Sequence, residues 1–249
     1  MRVHHIAGTV CEEHATAWSA STLSGLVPRS EGIVADVIGE RAARLRLEYE
    51  SEGLIEAAMA DDPMSEFEIW FDGVLEAEIA EPNAFVLATV DSDGRPSARA
   101  VLMKDLSPDG LVFYTGMESR KSQAMRANGL AAATFVWTVL HRQVRFEGAV
   151  SEIDEATADA YFATRPRGAQ IAAHASQQSK PVADRGILEA RFADLDLAFG
   201  EIVPRPEYWG GWRLSPDMVE FWQGRPNRFH DRVRYLKNDE SWVKERLAP

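Results

Sequence analysis

The sequence holds one cysteine, Cys11, in 249 residues. A lone cysteine excludes an internal disulfide and a thiolate metal cluster. No apolar run reaches the roughly 18 residues that cross a bilayer. The opening MRVHHIAGTVCEEH breaks off too soon to be the apolar part of a signal peptide. Positive charge is scarce, with 27 Lys and Arg against 39 Asp and Glu and a net charge of −12. That balance argues against nucleic acid and anionic membranes as partners, since both attract basic surfaces. A cytoplasmic protein is expected. Signatures of common chemistries are missing too: there is no G-x-G-x-x-G, no P-loop, no G-x-S-x-G elbow and no histidine pair at metal-ligand spacing.

What is present is ordinary in bulk, 45% apolar and 27% charged, on a chain long enough to bury a core. Residues 1–40 are weakly patterned and are expected to be a disordered N-terminal extension, with residues 41–249 forming the functional domain. Ala42, Leu45 and Tyr49 recur at helical spacing. Asp61-Asp-Pro63 starts a second helix, whose stripe is Phe67, Trp70, Phe71, Val74 and Leu75. Strands are expected over 84–90, 97–104, 111–115, 131–137 and 143–150, with turns at Asp91-Ser-Asp-Gly94 and Pro108-Asp-Gly110. A helix follows Ser119 and ends at Asn128-Gly129, and another runs from Asp154 to Thr164. A polar loop through Gln178-Ser179 then leads to a helix over 183–199 and to short strands over 212–214, 219–223, 229–235 and 241–246. Hairpin-linked strands with interspersed helices predict a mainly β, α+β architecture: an antiparallel sheet closed into a barrel or sandwich, with helices packed outside.

Against the acidic background, Arg95, Arg99, Lys104, Arg120 and Lys121 gather around two strands and a helix N-terminus. Such a group can hold a phosphate through charge-assisted hydrogen bonds and free helical N–H groups. It can equally be a solvated basic surface paired with Asp105 and Glu118. Arg99 and Lys104 are five apart, which strict strand alternation sends to opposite faces unless a bulge intervenes. In Arg228-Phe-His-Asp-Arg232, a strand would put Arg228, His230 and Arg232 on one face, and His230 is either a donor to a substrate or a satisfied surface residue. Tyr161 and Arg165, spaced i, i+4, suit a phosphate clamp or plain helix packing. Trp209-Gly-Gly-Trp212 and Phe221-Trp-Gln-Gly224 suit stacking on a planar ring or an aromatic core. Many cationic anchors without a nucleophile suggest that a bound cofactor does the chemistry.

The ordered motifs Arg99-Ala-Val-Leu-Met-Lys104, Phe113-Tyr-Thr115, Ser119-Arg-Lys121, Arg142-Gln-Val144, Tyr161-Phe162, Arg165-Pro-Arg167, Gln178-Ser179, Trp209-Gly-Gly211, Glu220-Phe-Trp-Gln-Gly224 and Arg228-Phe-His-Asp-Arg232 resemble those of pyridoxamine 5′-phosphate oxidases over about residues 44–249. The ending Arg246-Leu-Ala-Pro249 does too. The resemblance implies an antiparallel Greek-key split β-barrel that binds FMN, used as a homodimer with shared active sites. By motif, Arg99, Ala100, Val101, Leu102, Met103, Lys104, Tyr114, Thr115, Arg120, Lys121, Gln143, Gln178, Ser179, Trp222 and Arg232 would contact FMN, some from the other subunit. Lys104, Tyr161, Arg165 and Ala169 match the substrate-phosphate positions, with Ala169 standing where many members carry a serine. Arg228 and His230 match the catalytic pair over the pyridine ring, and Arg46 and Tyr49 a segment that closes on the substrate. The implied reaction oxidises pyridoxine or pyridoxamine 5′-phosphate to pyridoxal 5′-phosphate by hydride transfer to the flavin. O₂ then reoxidises the flavin, giving H₂O₂, and the amine also yields ammonia. A phenazine-type flavin oxidase and a non-catalytic flavin- or haem-binding split barrel are the competing readings. The first has no use for three phosphate anchors, and the second leaves Arg228 and His230 idle.

Overall fold

The computed structural model describes residues 53–249. The expected extension over 1–40, the helix around Ala42–Tyr49 and the candidates Arg46 and Tyr49 lie outside the described residues.

The first helix, α1 (Pro63–Glu76), starts as its sequence predicts. Asp62 is the N-cap and accepts from the Ser65 N–H at 2.9 Å, and Pro63 fills the first turn. Its stripe is narrower than expected: Phe67, Trp70 and Val74 are buried, Phe71 is partly so, and Leu75 is half exposed. Phe67 packs against Phe135 and Phe146 at ring-centroid distances of 4.9 and 5.2 Å, and Trp70 meets Phe221 edge-on at 5.1 Å. Truncating Phe67 to Ala would cost about 3–5 kcal/mol, the usual range for a buried aromatic.

Those partners belong to one antiparallel sheet. Its strands are β1 (Ala84–Val90), β2 (Pro96–Leu102), β3 (Asp105–Ser107), β4 (Gly110–Gly116), β5 (Leu130–Trp137), β6 (Arg142–Glu152), β7 (Trp209–Gln223), β8 (Asp231–Asn238) and β9 (Ser241–Arg246). The order is β2-β1-β5-β6-β7-β4-β3, with β8 on β7 and β9 on β8. One edge strand runs into the other, because only Met103 and Lys104 separate β2 from β3, and the Lys104 N–H reaches Val112 O at 2.8 Å. The sheet is therefore curled. It is also split: β7 pairs with β4 along Trp209–Leu214 and with β8 along Met218–Gln223.

Several expected boundaries are corrected. The two short strands at 212–214 and 219–223 are one strand of 15 residues. Ser215-Pro216 reads as a break, yet Pro216 is tolerated because the register with β6 shifts there, leaving Asp217 unpaired between Pro216 opposite Gly148 and Met218 opposite Glu147. The strand β3 was not expected. The stretch read as polar loop before Gln178 contains a helix, Arg167–Ala175, whose alanines favour helix and whose Ile171 anchors it in a second cluster with Phe162, Val203 and Trp209. The remaining α-helices among the described residues are Arg120–Asn128 (α2), Glu155–Ala163 (α3) and Arg185–Ala198; with α4 at Arg167–Ala175 the last becomes α5. Finally, β8 begins only at Asp231, so Arg228 and His230 precede it rather than sharing a strand face with Arg232. Asn227 and Arg228 both have left-handed backbones, φ 55° and 61°.

Among the described residues, no helix is long and apolar enough to cross a membrane.

Candidate functional site

A cleft of about 790 Å³ opens where β2, β4, the start of α2, α3 and α4 converge. Arg99, Ala100, Val101 and Leu102 line it from β2, Tyr114 and Thr115 from β4, and Arg120 and Lys121 from α2. Lys104, Tyr161, Arg165, Ala169, Gln178 and Ser179 complete the set that the sequence singled out. Met103 differs. Its side chain is turned into the hydrophobic core, with only its neighbours on the cleft wall. The spacing of Arg99 and Lys104 needs no bulge, since β2 stops at Leu102 and Lys104 belongs to the link into β3.

Arg99 pairs across the sheet with fully buried Leu87, so it faces inward, while Ala98 and Ala100 face out opposite Ala88 and Val86. Its guanidinium is fixed by Leu87 O at 3.0 Å, Thr89 Oγ1 at 2.9 Å and Ser97 Oγ at 2.6 Å. Thr89 and Ser97 carried no signal in the sequence. Burial, and then the Arg120 charge, hold Arg99 below the usual arginine range. Lys121, 7% exposed, donates to Thr115 Oγ1 at 2.7 Å, Ser119 Oγ at 3.1 Å and Gln178 Oε1 at 3.0 Å. Burial, reinforced by Arg99, pushes its pKa down to about 8. Ser119 sits at the N-cap position but makes no capping bond; its hydroxyl serves Lys121 instead. The alternative, a basic surface paired with Asp105 and Glu118, is not what holds these cations. Arg120 contacts Asp91 at 3.7 Å on the surface, and no carboxylate among the described residues pairs with Arg99 or Lys121.

The Gln178 Oε1 that receives Lys121 also accepts from Thr115 Oγ1 at 2.8 Å and Gly116 N at 3.0 Å. Three donors on one oxygen, beside an inward arginine, make a centre suited to an anionic oxygen.

A second centre lies on the α3 and α4 side. The rings of Tyr161, Tyr114 and Trp209 are nearly parallel, with Tyr114 3.9 Å from Tyr161 and 5.4 Å from Trp209. Arg165 lies over Trp209 at 4.7 Å. The stack depends on Gly211, where a Cβ would come within 2.8 Å of the Tyr114 ring. The Trp209-Gly-Gly signal was therefore real, but the ring Trp209 meets is tyrosine. Arg165 Nη1 is buried without a hydrogen-bond partner, a cost that an incoming anion would remove. The chemistry of the donors fits two phosphates, one per centre.

The other candidates lie elsewhere. Gln143, Trp222 and Arg232 form one cross-strand row over β6, β7 and β8. Trp222 is 13 residues along β7 from Trp209, roughly 40 Å of extended strand. None of the three lines the cleft. Beside this row the His230 ring lies 4.8 Å from Trp222, and its Nδ1 accepts from Arg225 N at 3.1 Å, so the proton of the neutral ring sits on Nε2.

Two family models match the chain: one described as pyridoxamine 5′-phosphate oxidase over residues 71–198, the other as a pyridoxine 5′-phosphate oxidase C-terminal dimerisation region over 209–249. The chain belongs to the pyridoxamine 5′-phosphate oxidase family. A pyridoxine/pyridoxamine 5′-phosphate oxidase of Cupriavidus metallidurans is 50% identical over 208 residues, covering 83% of this chain and 98% of that one. One from Thermosynechococcus vestitus is 48% identical, covering 84% and 99%. Among solved structures, PhzG of Burkholderia lata in complex with tetrahydrophenazine-1-carboxylic acid superposes with a TM-score of 0.76 at 30% identity, covering 81% of this chain and 100% of that one. An FMN-binding protein of Nostoc punctiforme shares the fold at 19% identity, with a TM-score of 0.62, covering 74% and 97%. The expected split barrel is thus borne out, both in the forked, curled sheet and in these neighbours.

Proposed function

We propose that the chain oxidises pyridoxine 5′-phosphate and pyridoxamine 5′-phosphate to pyridoxal 5′-phosphate with FMN as cofactor and O₂ as acceptor. The alcohol and O₂ give the aldehyde and H₂O₂. The amine, O₂ and water give the aldehyde, H₂O₂ and ammonia. The observation that carries the reading is one cleft lined by five cationic side chains from different elements, Arg99, Lys104, Arg120, Lys121 and Arg165, enough to hold two phosphates. Kinship at half identity to enzymes of that name supports it.

In this reading FMN, when bound, supplies the hydride acceptor and the route of electrons to O₂. Everything else falls to the chain. Arg99, Arg120, Lys121, Thr115, Gln178 and Ser179 hold the flavin phosphate, while Ala100, Val101, Leu102 and Tyr114 line the same cavity. Arg165, Tyr161 and Lys104 hold the substrate phosphate and so fix the distance to the reacting carbon. Arg228 and His230 orient the pyridine ring, His230 as an Nε2–H donor.

A homodimer belongs to this reading, supported by the match of residues 209–249 to a C-terminal dimerisation region. The outward faces of β1, β2 and β5 form one apolar surface, with Val86, Val90, Leu130 and Val136 between 37% and 55% exposed among small Ala98, Ala100 and Ala132. Gln143, Trp222 and Arg232 continue that face in register, Gln143 standing opposite Val136. A two-fold pairing through it brings one protomer's row toward its partner's cleft, an isologous arrangement.

The test is to purify the protein, look for the visible absorbance of bound flavin, and follow pyridoxal 5′-phosphate formation under air. Flavin binding without turnover on either phosphate sinks the reading and leaves a phenazine-type or non-catalytic relative. Arg228→Ala should abolish most turnover and keep the flavin; a flavin-free variant would reassign Arg228.

A further inference from the structure

Two carboxylates are buried among the described residues, Glu66 and Glu220. Glu66 has a local task, since its Oε2 accepts from Ala60 N at 2.8 Å. Glu220 is 3% exposed although it lies on the same sheet face as Gln143 and Trp222, two residues along β7 from Trp222. Two guanidinium groups cover it. Arg232 Nε reaches Oε1 at 2.7 Å and Arg232 Nη2 reaches Oε2 at 3.1 Å, a side-on fork. Arg145 Nη2 reaches the same Oε2 at 2.9 Å from β6.

The fork matters because of what it leaves over. The register places Arg232 opposite Trp222 and Arg234 opposite Glu220, so Arg232 meets Glu220 on the diagonal, drawn across the strand. Its third contact is Nη1 to Ala248 O at 3.0 Å. Of a guanidinium's five N–H groups, Glu220 consumes the Nε side and Ala248 one Nη1 hydrogen. What remains is one N–H on each Nη, on a guanidinium held in fixed orientation. A long, rotamer-rich side chain held this way loses little entropy when a ligand arrives. The Glu220 contact also raises the Arg232 pKa.

We propose that Glu220 is the positioning residue for Arg232: it grips one edge of the guanidinium and thereby aims the other at the flavin, while Arg145 balances its second oxygen. The proposal deepens the functional reading above and rests on its placing Arg232 at the FMN site.

The experiment titrates flavin-stripped protein with FMN, reading flavin fluorescence, for the wild type, Arg232→Ala, Glu220→Gln, Glu220→Asp and the double variant Glu220→Gln/Arg232→Ala, with thermal melts alongside. Glu220→Gln should weaken FMN binding by about tenfold, the order lost when the partner that orients a ligand-holding side chain is removed. The double variant should bind no more weakly than Arg232→Ala alone, since the glutamate acts only through the arginine. Glu220→Asp keeps the charge and shortens the reach, so it should melt closer to wild type and still bind FMN more weakly. Unchanged FMN affinity in both Glu220 variants, with Arg232→Ala impaired, overturns the proposal alone and leaves a merely structural ion pair. Additive losses in the double variant overturn it as well. If Arg232→Ala binds FMN as the wild type does, the assignment of Arg232 falls and this proposal with it; no FMN uptake by the wild type ends both.

Discussion

Lys121 Nζ and Gln178 Oε1 lie 3.0 Å apart, tying the first turn of α2 to the segment after α4. The lysine is buried, satisfied only by neutral oxygens, and next to an arginine that opposes its charge. It has the electrostatics of a residue waiting for an anion.

Its titration gives a signed prediction. In the flavin-free protein Lys121 loses its proton near pH 8, and a bound phosphate would restore it. FMN affinity should be level below about pH 8 and fall by up to about tenfold per pH unit above it. Lys121→Met should bind more weakly and show no such fall. The same depression means that between about pH 8 and the ordinary lysine value the unfolded chain holds more protons than the folded one, so this residue adds stability as pH rises through that window. Titrations from pH 7 to about 10 check both; a level wild-type affinity profile contradicts the first.

Arg165→Met should leave the flavin content intact while raising KM for the phosphorylated substrates by roughly ten- to a hundredfold, the value of a hydrogen bond to a charged group. Equal loss of flavin would mean that the two cationic centres serve one ligand. Steady-state kinetics and the visible spectrum of the purified variant separate these outcomes.

Ala169 lines the cleft within α4, four residues after Arg165. Restoring a hydroxyl by Ala169→Ser should lower KM for pyridoxine 5′-phosphate several-fold, consistent with about 1 kcal/mol for one added hydrogen bond. An unchanged KM would show that the backbone already supplies that contact.

Gly148 faces the β7 bulge, where an added Cβ would stand 2.2 Å from Ser215 O and 2.7 Å from the Pro216 Cα. Both contacts are backbone, so nothing flexible can yield. Gly148→Ala should destabilise by about 1–3 kcal/mol or more, seen as a lowered midpoint in denaturant unfolding. A midpoint equal to the wild type would mean that the strand crossing is looser than its register implies.

Short-range chemistry made much of this molecule legible. Asp62-Pro63, the turn glycines and the alternation in 84–90 each dictate their local structure, and α1 and β1 appear where they should. Where the outcome depended on a partner, reading failed. Pro216 is harmless only because β6 supplies a register shift opposite it, and Arg167–Ala175 is held by Ile171 against Trp209, some 40 residues away in sequence. Arg99, Lys104, Arg120 and Lys121 were legible because cations stand out in an acidic chain, whereas Tyr114, Thr115, Ala169, Gln178 and Ser179 came with the family resemblance. Ser97, Thr89 and Glu220 were not, because a hydroxyl that steadies an arginine, or a carboxylate that aims one, looks like any other surface residue until the strands are paired.

The length of β7 carries a genetic corollary. One strand bears Trp209 at its own cleft and Trp222 in the row assigned to the partner's, so in the proposed dimer every subunit would be half of two reaction centres. Two impaired alleles, Arg165→Ala in one subunit and Arg228→Ala in the other, would complement when co-expressed: the hybrid has one centre with both lesions and one with neither. At substrate concentrations well below the raised KM, the mixed population should be more active than either parent alone.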